Sequence, residues 1–183
     1  MPTVVVGGSA RDVGKTSLIC GLIAALPECP WTAVKITSHD YGKPTPIWEE
    51  TQSGQGTDTA RYLAAGARRA LLVTACDGKI PKSDLRAAIA DHLWLIFETN
   101  QLQPLHKPDV ILALIGSDAT ESKPSFAAVV QRANAFVYTS NSSLSPTLEN
   151  DTLPVFALPN PEHISLELIG WMRARLGLPA PSR

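Results

Sequence analysis

A glycine-rich segment near the start of the chain has the residue types needed to hold phosphate. Residues 7–17, here called the phosphate loop, read GGSARDVGKTS and follow a β-branched run at residues 3–6. The amides of such a loop and the amino end of the following helix form a cradle for an anion. Lys15 adds a charge for the β- and γ-phosphates, and the Thr16 hydroxyl suits Mg²⁺. The segment predicts binding of a nucleoside triphosphate with magnesium.

The spacing of the phosphate loop departs from the common pattern. Five residues separate Gly8 from Gly14, and Ser9 stands where the common pattern has a glycine. Gly14 allows the backbone to approach the anion without a Cβ clash. Asn141, after a later strand, is a candidate for hydrogen bonding to a purine edge. The expected nucleotide contacts are Gly8, Ser9, Asp12, Val13, Gly14, Lys15, Thr16, Ser17 and Asn141.

Two carboxylates are candidates for the magnesium site. Glu98 ends the apolar run at residues 94–97, at the edge of the sheet where phosphates are expected. It could ligate Mg²⁺ directly or through water, or position an attacking water; the alternative is a strand-end charge in solvent. Asp40 lies just past the second strand. We therefore expect Thr16, Glu98 and Asp40 to hold the metal, and Lys15 and Glu98 to serve any catalysis.

Four other polar residues near these positions have open roles. His39 is either a ligand contact or a solvated loop histidine. Asp58 is either a helix N-cap or a ligand contact, and the planar fork of Arg61 would suit a phosphate. Lys35 is a charge inside an apolar strand. It either extends from the sheet edge to solvent or points at the phosphates.

Short apolar runs alternate with helical patterns along the chain. This alternation predicts a mostly parallel sheet with helices on both faces. Together with the phosphate loop between the first strand and helix, it predicts a three-layer α/β P-loop NTPase fold. We expect one nucleotide-binding domain over residues 1–178, a long loop at 38–57 and a disordered tail at 179–183. Strands are predicted at residues 3–6, 32–36, 70–75, 94–97, 110–115, 135–139 and 155–158, and helices at 15–26, 58–65, 83–93, 125–133 and 162–176.

Composition limits the classes of partner. The chain has 183 residues and a net charge of −1, which gives no basic footprint for nucleic acid or an anionic membrane surface. No signal peptide and no apolar run long enough to span a bilayer is visible. Cys20, Cys29 and Cys76 form no CxxC pair, which is typical of free thiols in a reducing cytoplasm. We expect a cytoplasmic protein.

Two sets of motifs in this chain resemble those of known families. The loop spacing resembles that of dethiobiotin synthetase and the cobyrinic acid amide synthases. VKITSHD at residues 34–40, GTDTAR at 56–61 and AGA at 65–67 resemble the molybdopterin-guanine dinucleotide biosynthesis protein B family, over the first half of the chain. Members of that family read Glu-Gly at the end of the fourth strand, where this chain has Glu98 and Thr99.

The second resemblance implies a GTP-binding accessory protein of molybdenum-cofactor biosynthesis. Such a protein would be a homodimer, hydrolyse GTP slowly or only with a partner, and work beside a molybdopterin guanylyltransferase. GTP is favoured over ATP by this resemblance alone. One alternative, from the loop spacing, is an ATP-dependent ligase or kinase of the dethiobiotin synthetase type. Another is a nucleotide-gated regulatory switch, with residues 38–57 ordered by the γ-phosphate.

Overall fold

A computed structural model of the chain describes residues 2–75, 79–91, 94–102, 105, 107–116, 124–139 and 153–180. These residues form eight strands and five α-helices: β1 (Thr3–Gly8), α1 (Lys15–Ala25), β2 (Trp31–Thr37), β3 (Ile47–Glu50), α2 (Asp58–Ala64), β4 (Arg69–Thr74), α3 (Lys82–Ile89), β5 (Trp94–Glu98), β6 (Val110–Ile115), α4 (Ala127–Arg132), β7 (Ala135–Tyr138), β8 (Val155–Ala157) and α5 (Leu166–Leu176). None of these helices combines the length and apolar character needed to cross a membrane.

The strands form a single sheet in the order β3-β4-β2-β5-β1-β6-β7-β8. All neighbouring strands are parallel except β3 and β4, which are antiparallel. The strand that precedes the phosphate loop, β1, lies in the middle, between β5 and β6. Because parallel strands end at one edge of the sheet, the ends of β1, β2 and β5 come together beside the phosphate loop.

The apolar residues of the central strand divide between two cores. Val4 and Val6 belong to a cluster on one face of the sheet, and Val5 belongs to a cluster on the other. This alternation follows from the two-residue period of a strand. Helices α1, α2 and α5 cover the first face, and α3 and α4 cover the second. The predicted three-layer α/β fold is confirmed.

The segment predicted as a long loop contains a strand. Within residues 38–57, β3 pairs antiparallel with β4 at the edge of the sheet. Arg69 of β4 donates from Nε and Nη2 to the two carboxylate oxygens of Glu49, at 2.5 and 2.6 Å. The loop prediction was therefore wrong for residues 47–50, because a four-residue strand among Gly, Pro and Ser gives no strong periodic signal.

The closing helix also begins later than predicted. The sequence pattern placed its start at residue 162, whereas α5 begins at Leu166. The Ser165 side chain accepts a hydrogen bond from the amide of Leu168 at 3.2 Å, which is the geometry of an N-cap. At the other end, the Arg173 guanidinium donates to the Pro179 carbonyl at 2.7 Å. Residues 181–183 of the predicted tail lie outside the described ranges.

Two leucines of α5 test which face of this helix packs against the core. Leu168 is fully buried and Leu166 is 87% exposed. We expect Leu168→Ala to lower the free energy of unfolding by about 2–5 kcal/mol, because it removes buried atoms and leaves a cavity. Leu166→Ala should change it by less than about 0.5 kcal/mol. Urea denaturation measures both; similar losses in the two variants would contradict this placement of α5.

Candidate functional site

The phosphate loop connects β1 to α1 through a left-handed glycine. Gly14 has φ +98° and immediately precedes the helix, a conformation that L side chains rarely adopt. A Cβ at this position would also lie 2.9 Å from the Pro161 ring. Within the described part of the chain, the amides of Arg11, Asp12 and Gly14 make no hydrogen bond to protein. The first-turn amides of α1 lack partners within the helix. Main-chain donors are therefore available where the sequence predicts an anion.

The Lys15 side chain lies across the phosphate loop. Its Nζ donates to the Ala10 carbonyl at 2.9 Å. A Cβ at Gly8 would meet the Lys15 stem at 2.8 Å and the buried Val13 side chain at 2.6 Å. Gly8 thus gives the space in which the Lys15 stem passes. This arrangement holds the ammonium group at the loop.

Hydrogen bonds to two neighbouring strands fix the beginning of the phosphate loop. The Asn100 side chain accepts from the Gly8 amide at 2.8 Å and donates to the Gly8 carbonyl at 2.9 Å. On the other side, the Ser9 amide donates to the Leu114 carbonyl at 2.9 Å, and the Ser9 hydroxyl accepts from the Gly116 amide at 3.2 Å. The Asn100 amide group continues, by side chain, the pairing that β5 makes with β1.

A buried carboxylate lies beside the helix that begins the site. Glu98 is 5% exposed, so the interpretation of this residue as a charge in solvent was wrong. Its Oε2 accepts from the Thr16 hydroxyl at 2.7 Å and from the Tyr62 hydroxyl. Its Oε1 lies 3.3 Å from the Lys35 ammonium, which also pairs with Asp58. Two of the three predicted metal ligands, Thr16 and Glu98, are therefore in direct contact.

The charge state of this cluster follows from burial and from its carboxylates. Burial and the adjacent Glu98 carboxylate raise the pKa of Tyr62 well above its ordinary value, so its hydroxyl remains a donor. Burial opposes the charge on Lys35. The carboxylates of Glu98 and Asp58 outweigh that effect and hold the pKa of Lys35 above its ordinary value. Lys35 is therefore an ammonium ion, directed into the site rather than to solvent.

Asp58 is not the N-cap of α2. Thr57 has extended backbone geometry, and its side chain accepts from the Ala60 amide at 3.1 Å. Because Thr57 supplies the cap, the Asp58 carboxylate is available to pair with Lys35 across the cavity. The cap interpretation of Asp58 was wrong.

Arg61 links α2 to the start of α1. Its Nη2 donates to the Ser17 hydroxyl at 3.0 Å and to the Glu162 carboxylate at 2.8 Å. Ser17 donates to the same carboxylate at 3.1 Å. The Arg61 guanidinium therefore lies at the phosphate loop, held there by a half-exposed carboxylate from the segment before α5.

These groups surround an open cavity of about 740 Å³ at the carboxyl edge of the sheet. The cavity extends from the phosphate loop to the end of β2, where the His39 and Tyr41 rings meet edge to face at 4.7 Å. The residues that line it are Arg11, Asp12, Gly14, Lys15, Thr16, Ser17, Lys35, Ile36, Thr37, Ser38, His39, Tyr41, Asp58, Arg61, Glu98, Thr99, Asn100, Gln101 and Ser125.

The remaining sequence-predicted site residues lie outside this lining. Gly8, Ser9 and Val13 form the base of the phosphate loop. Asp40 accepts a hydrogen bond from the Gly42 amide at 2.7 Å and is not among the lining residues, so its role as a metal ligand stays a prediction. Asn141 lies outside the described residues.

The donors at the cavity floor fit a magnesium ion. Mg²⁺ prefers hard oxygen ligands, and proteins usually bind it with one or two side chains, water and substrate phosphates. Thr16 and Glu98 supply a hydroxyl and a carboxylate side by side. In the described ranges, no group of three His, Cys, Asp or Glu residues could hold a metal by itself. A metal at Thr16 and Glu98 would therefore take water or phosphate oxygens to complete its shell.

Sequence reasoning missed Tyr62 and Asn100. Tyr62 reaches Glu98 from a different element, and nothing in its local sequence marks that contact. Asn100 follows Glu98 closely, in the stretch where this chain departs from the Glu-Gly of the family it resembles. That departure from the family motif was the one signal in the sequence that could have pointed to Asn100.

Comparisons with known proteins give matches in structure but not in sequence. No protein-family model matches the sequence, and a search of curated proteins also gives no match. LpxK from Aquifex aeolicus in complex with ATP superposes with a TM-score of 0.55 at 18% identity. The alignment covers 86% of this chain and 53% of that chain, so this chain spans about half the length of LpxK.

Two smaller structures match over nearly their whole length. A MobB protein homologue from Bacillus stearothermophilus gives a TM-score of 0.53 at 18% identity, covering 97% of this chain and 99% of that one. Bacillus subtilis MobB gives 0.51 at 16% identity, covering 96% and 98%. The chain has the MobB-like P-loop NTPase fold. At these identities the likeness establishes the fold.

The contact between Tyr62 and Glu98 can be tested without a ligand. We expect Tyr62→Phe to lower the free energy of unfolding by about 1.5–3 kcal/mol, because it removes a hydrogen bond to a buried carboxylate. Tyr41→Phe is the control, since Tyr41 is 47% exposed; it should change stability by less than about 0.5 kcal/mol. Chemical denaturation at neutral pH measures both. Equal stability of Tyr62→Phe and the natural chain would show that this contact is not formed in solution.

Proposed function

We propose that the chain binds a nucleoside triphosphate with Mg²⁺ at the phosphate loop. The observation that carries this proposal is the hydrogen bond of 2.7 Å between Thr16, on the first turn of α1, and the buried Glu98 carboxylate. A linker that only joined a strand to a helix would not need a buried charge beside that turn. A left-handed Gly14 and amides without protein partners stand at the same place.

Each residue of the site then has a defined part. Lys15 exchanges its contact with the Ala10 carbonyl for oxygens of the β- and γ-phosphates. Thr16 and Glu98 hold the metal, directly or through water, and the Ser17 hydroxyl exchanges its bond to Glu162 for one to phosphate. Bound magnesium supplies positive charge that offsets the charge developing on the phosphates. Glu98 can also orient a water molecule for slow hydrolysis.

We further propose that the nucleotide is GTP and that the chain acts as a cytoplasmic accessory protein in molybdenum-cofactor biosynthesis. The two MobB structures support this role because they match nearly the full length of both chains. The motif at residues 56–61 supports it too, since Asp58 and Arg61 line the cavity. This proposal includes a homodimer, a molybdopterin guanylyltransferase partner and contact of Asn141 with the purine.

An ATP-dependent ligase or kinase is the second candidate. Two observations favour it: the cavity continues past the phosphate loop to His39 and Tyr41, and LpxK in complex with ATP shares the fold. That extension would leave space for a second substrate beside the terminal phosphate.

A regulatory switch is the third candidate. Its nucleotide-responsive segment would be residues 38–46 rather than the whole of 38–57, because β3 is held in the sheet.

A panel of nucleotides separates these candidates. We expect GTP with Mg²⁺ to stabilise the chain most, by about 2.7 kcal/mol at about 100 times its dissociation constant, because ligand binds only the folded state. Thermal unfolding with GTP, GDP, ATP and ADP, each with and without Mg²⁺, measures the preference. Greater stabilisation by ATP would favour the ligase or kinase, and no stabilisation by any triphosphate would contradict the proposed site.

A substitution in the loop tests the phosphate contact itself. We expect Lys15→Ala to weaken triphosphate binding about 10- to 100-fold, because charge-assisted hydrogen bonds contribute about 1.5–3 kcal/mol. Lys43→Ala is a matched control, since Lys43 lies over the Trp48 ring and does not line the cavity. Isothermal titration calorimetry gives both affinities. Natural affinity in a folded Lys15→Ala variant would place the phosphates elsewhere.

A further inference from the structure

Lys35 occupies an unusual position for a lysine. It lies in β2 directly opposite Glu98 of β5, near the carboxyl ends of both strands. Its side chain is 15% exposed and that of Glu98 is 7% exposed. A lysine on a strand usually extends its ammonium group to water. Here the Nζ contacts Asp58 and lies 3.3 Å from Glu98 Oε1 instead.

This ion pair bears directly on the candidate metal site. Glu98 contacts Thr16 through one carboxylate oxygen and Lys35 through the other. A divalent cation that approaches Thr16 and Glu98 alone therefore meets a fixed positive charge at the same carboxylate. In a site of low solvent exposure this repulsion is strong, because water screens it poorly.

Two other cations that line the cavity, Arg61 and Lys15, make contacts away from Glu98. The Arg61 guanidinium donates to Glu162 and Ser17, and Lys15 Nζ donates to the Ala10 carbonyl. Lys35 is in ion-pair contact with both Glu98 and Asp58. Removing its charge would leave these two carboxylates facing the cavity together. Paired carboxylates are ligands that divalent cations prefer.

We propose that Lys35 makes metal binding at Thr16 and Glu98 depend on the triphosphate. Without nucleotide its ammonium offsets one of the two negative charges of Glu98 and Asp58. The attraction of this site for a metal ion entering alone is therefore weakened. A triphosphate brings excess negative charge, which the metal then offsets. The identity of the metal site rests on the proposed function, but the charge balance is tested with metal alone.

The test measures Mn²⁺ binding to the nucleotide-free protein by electron paramagnetic resonance, which counts free Mn²⁺. We expect Lys35→Gln to bind Mn²⁺ about tenfold more tightly than the natural chain, since a neighbouring charge shifts such equilibria by one to three orders of magnitude. Lys35→Arg keeps the charge and should bind Mn²⁺ as weakly as the natural chain. Lys43→Gln, outside the cavity lining, controls for the loss of one positive charge overall.

Two results would overturn the proposal. One is unchanged Mn²⁺ affinity in a Lys35→Gln variant whose circular dichroism and unfolding transition show that it is folded. The other is equally tight binding by Lys35→Arg and Lys35→Gln, because loss of charge would then not be the cause. Lys35→Met preserves more of the apolar stem and replaces Lys35→Gln if that variant unfolds; it must show the same tightening.

Failure of this proposal is distinguishable from failure of the proposed function. The Mn²⁺ comparison uses no nucleotide, so its outcome does not depend on whether GTP or ATP binds. Unchanged metal affinity together with triphosphate binding by the natural chain would reject the role of Lys35 alone. Tighter metal binding in Lys35→Gln without any triphosphate binding would keep the effect of the Lys35 charge on metal affinity, but it would reject the nucleotide site and the dependence on triphosphate.

Discussion

The buried carboxylate of Glu98 is the constraint on which the arrangement of the site depends. A charge removed from water is costly unless other groups compensate it. Three partners do so from three different elements: Thr16 of α1, Tyr62 of α2 and Lys35 of β2. The positions of these elements relative to the end of β5 are therefore coupled, because displacement of any one would leave the carboxylate partly uncompensated. The geometry of the phosphate loop follows from this coupling, since Thr16 fixes the first turn of the helix after it.

The elements of the fold could be predicted where burial dictates composition. Strands β1 and β6 are continuous apolar runs because the sheet is covered on both faces, and such runs are visible in a single sequence. The strand β3 was not predictable, because its short, half-exposed run depends on pairing with β4. The order of strands also has no local signature, and it is this order that places Lys35 opposite Glu98.

The site could be predicted in part for a related reason. Thr16 lies in the first turn of the helix after β1 and Glu98 is the last residue of β5, and the carboxyl ends of these strands meet at one edge, so their proximity is expected from the fold class. The contacts of Tyr62 and Asn100 depend on how helices and loops pack over that edge, which sequence spacing does not encode. The sequence left the role of Asp58 open between an N-cap and a ligand contact, because Thr57 and Asp58 both have side chains suited to the cap position of α2, and the structure places the cap at Thr57.

The Asn100 side chain makes hydrogen bonds to Gly8 of the kind that the backbone of a neighbouring strand ordinarily makes. Its amide group pairs with both polar groups of Gly8, so β5 can turn away after Glu98 without leaving the end of β1 unsupported. The residue at position 100 therefore determines how firmly Gly8, at the start of the phosphate loop, is held. Evolution can adjust that rigidity without altering the strands themselves.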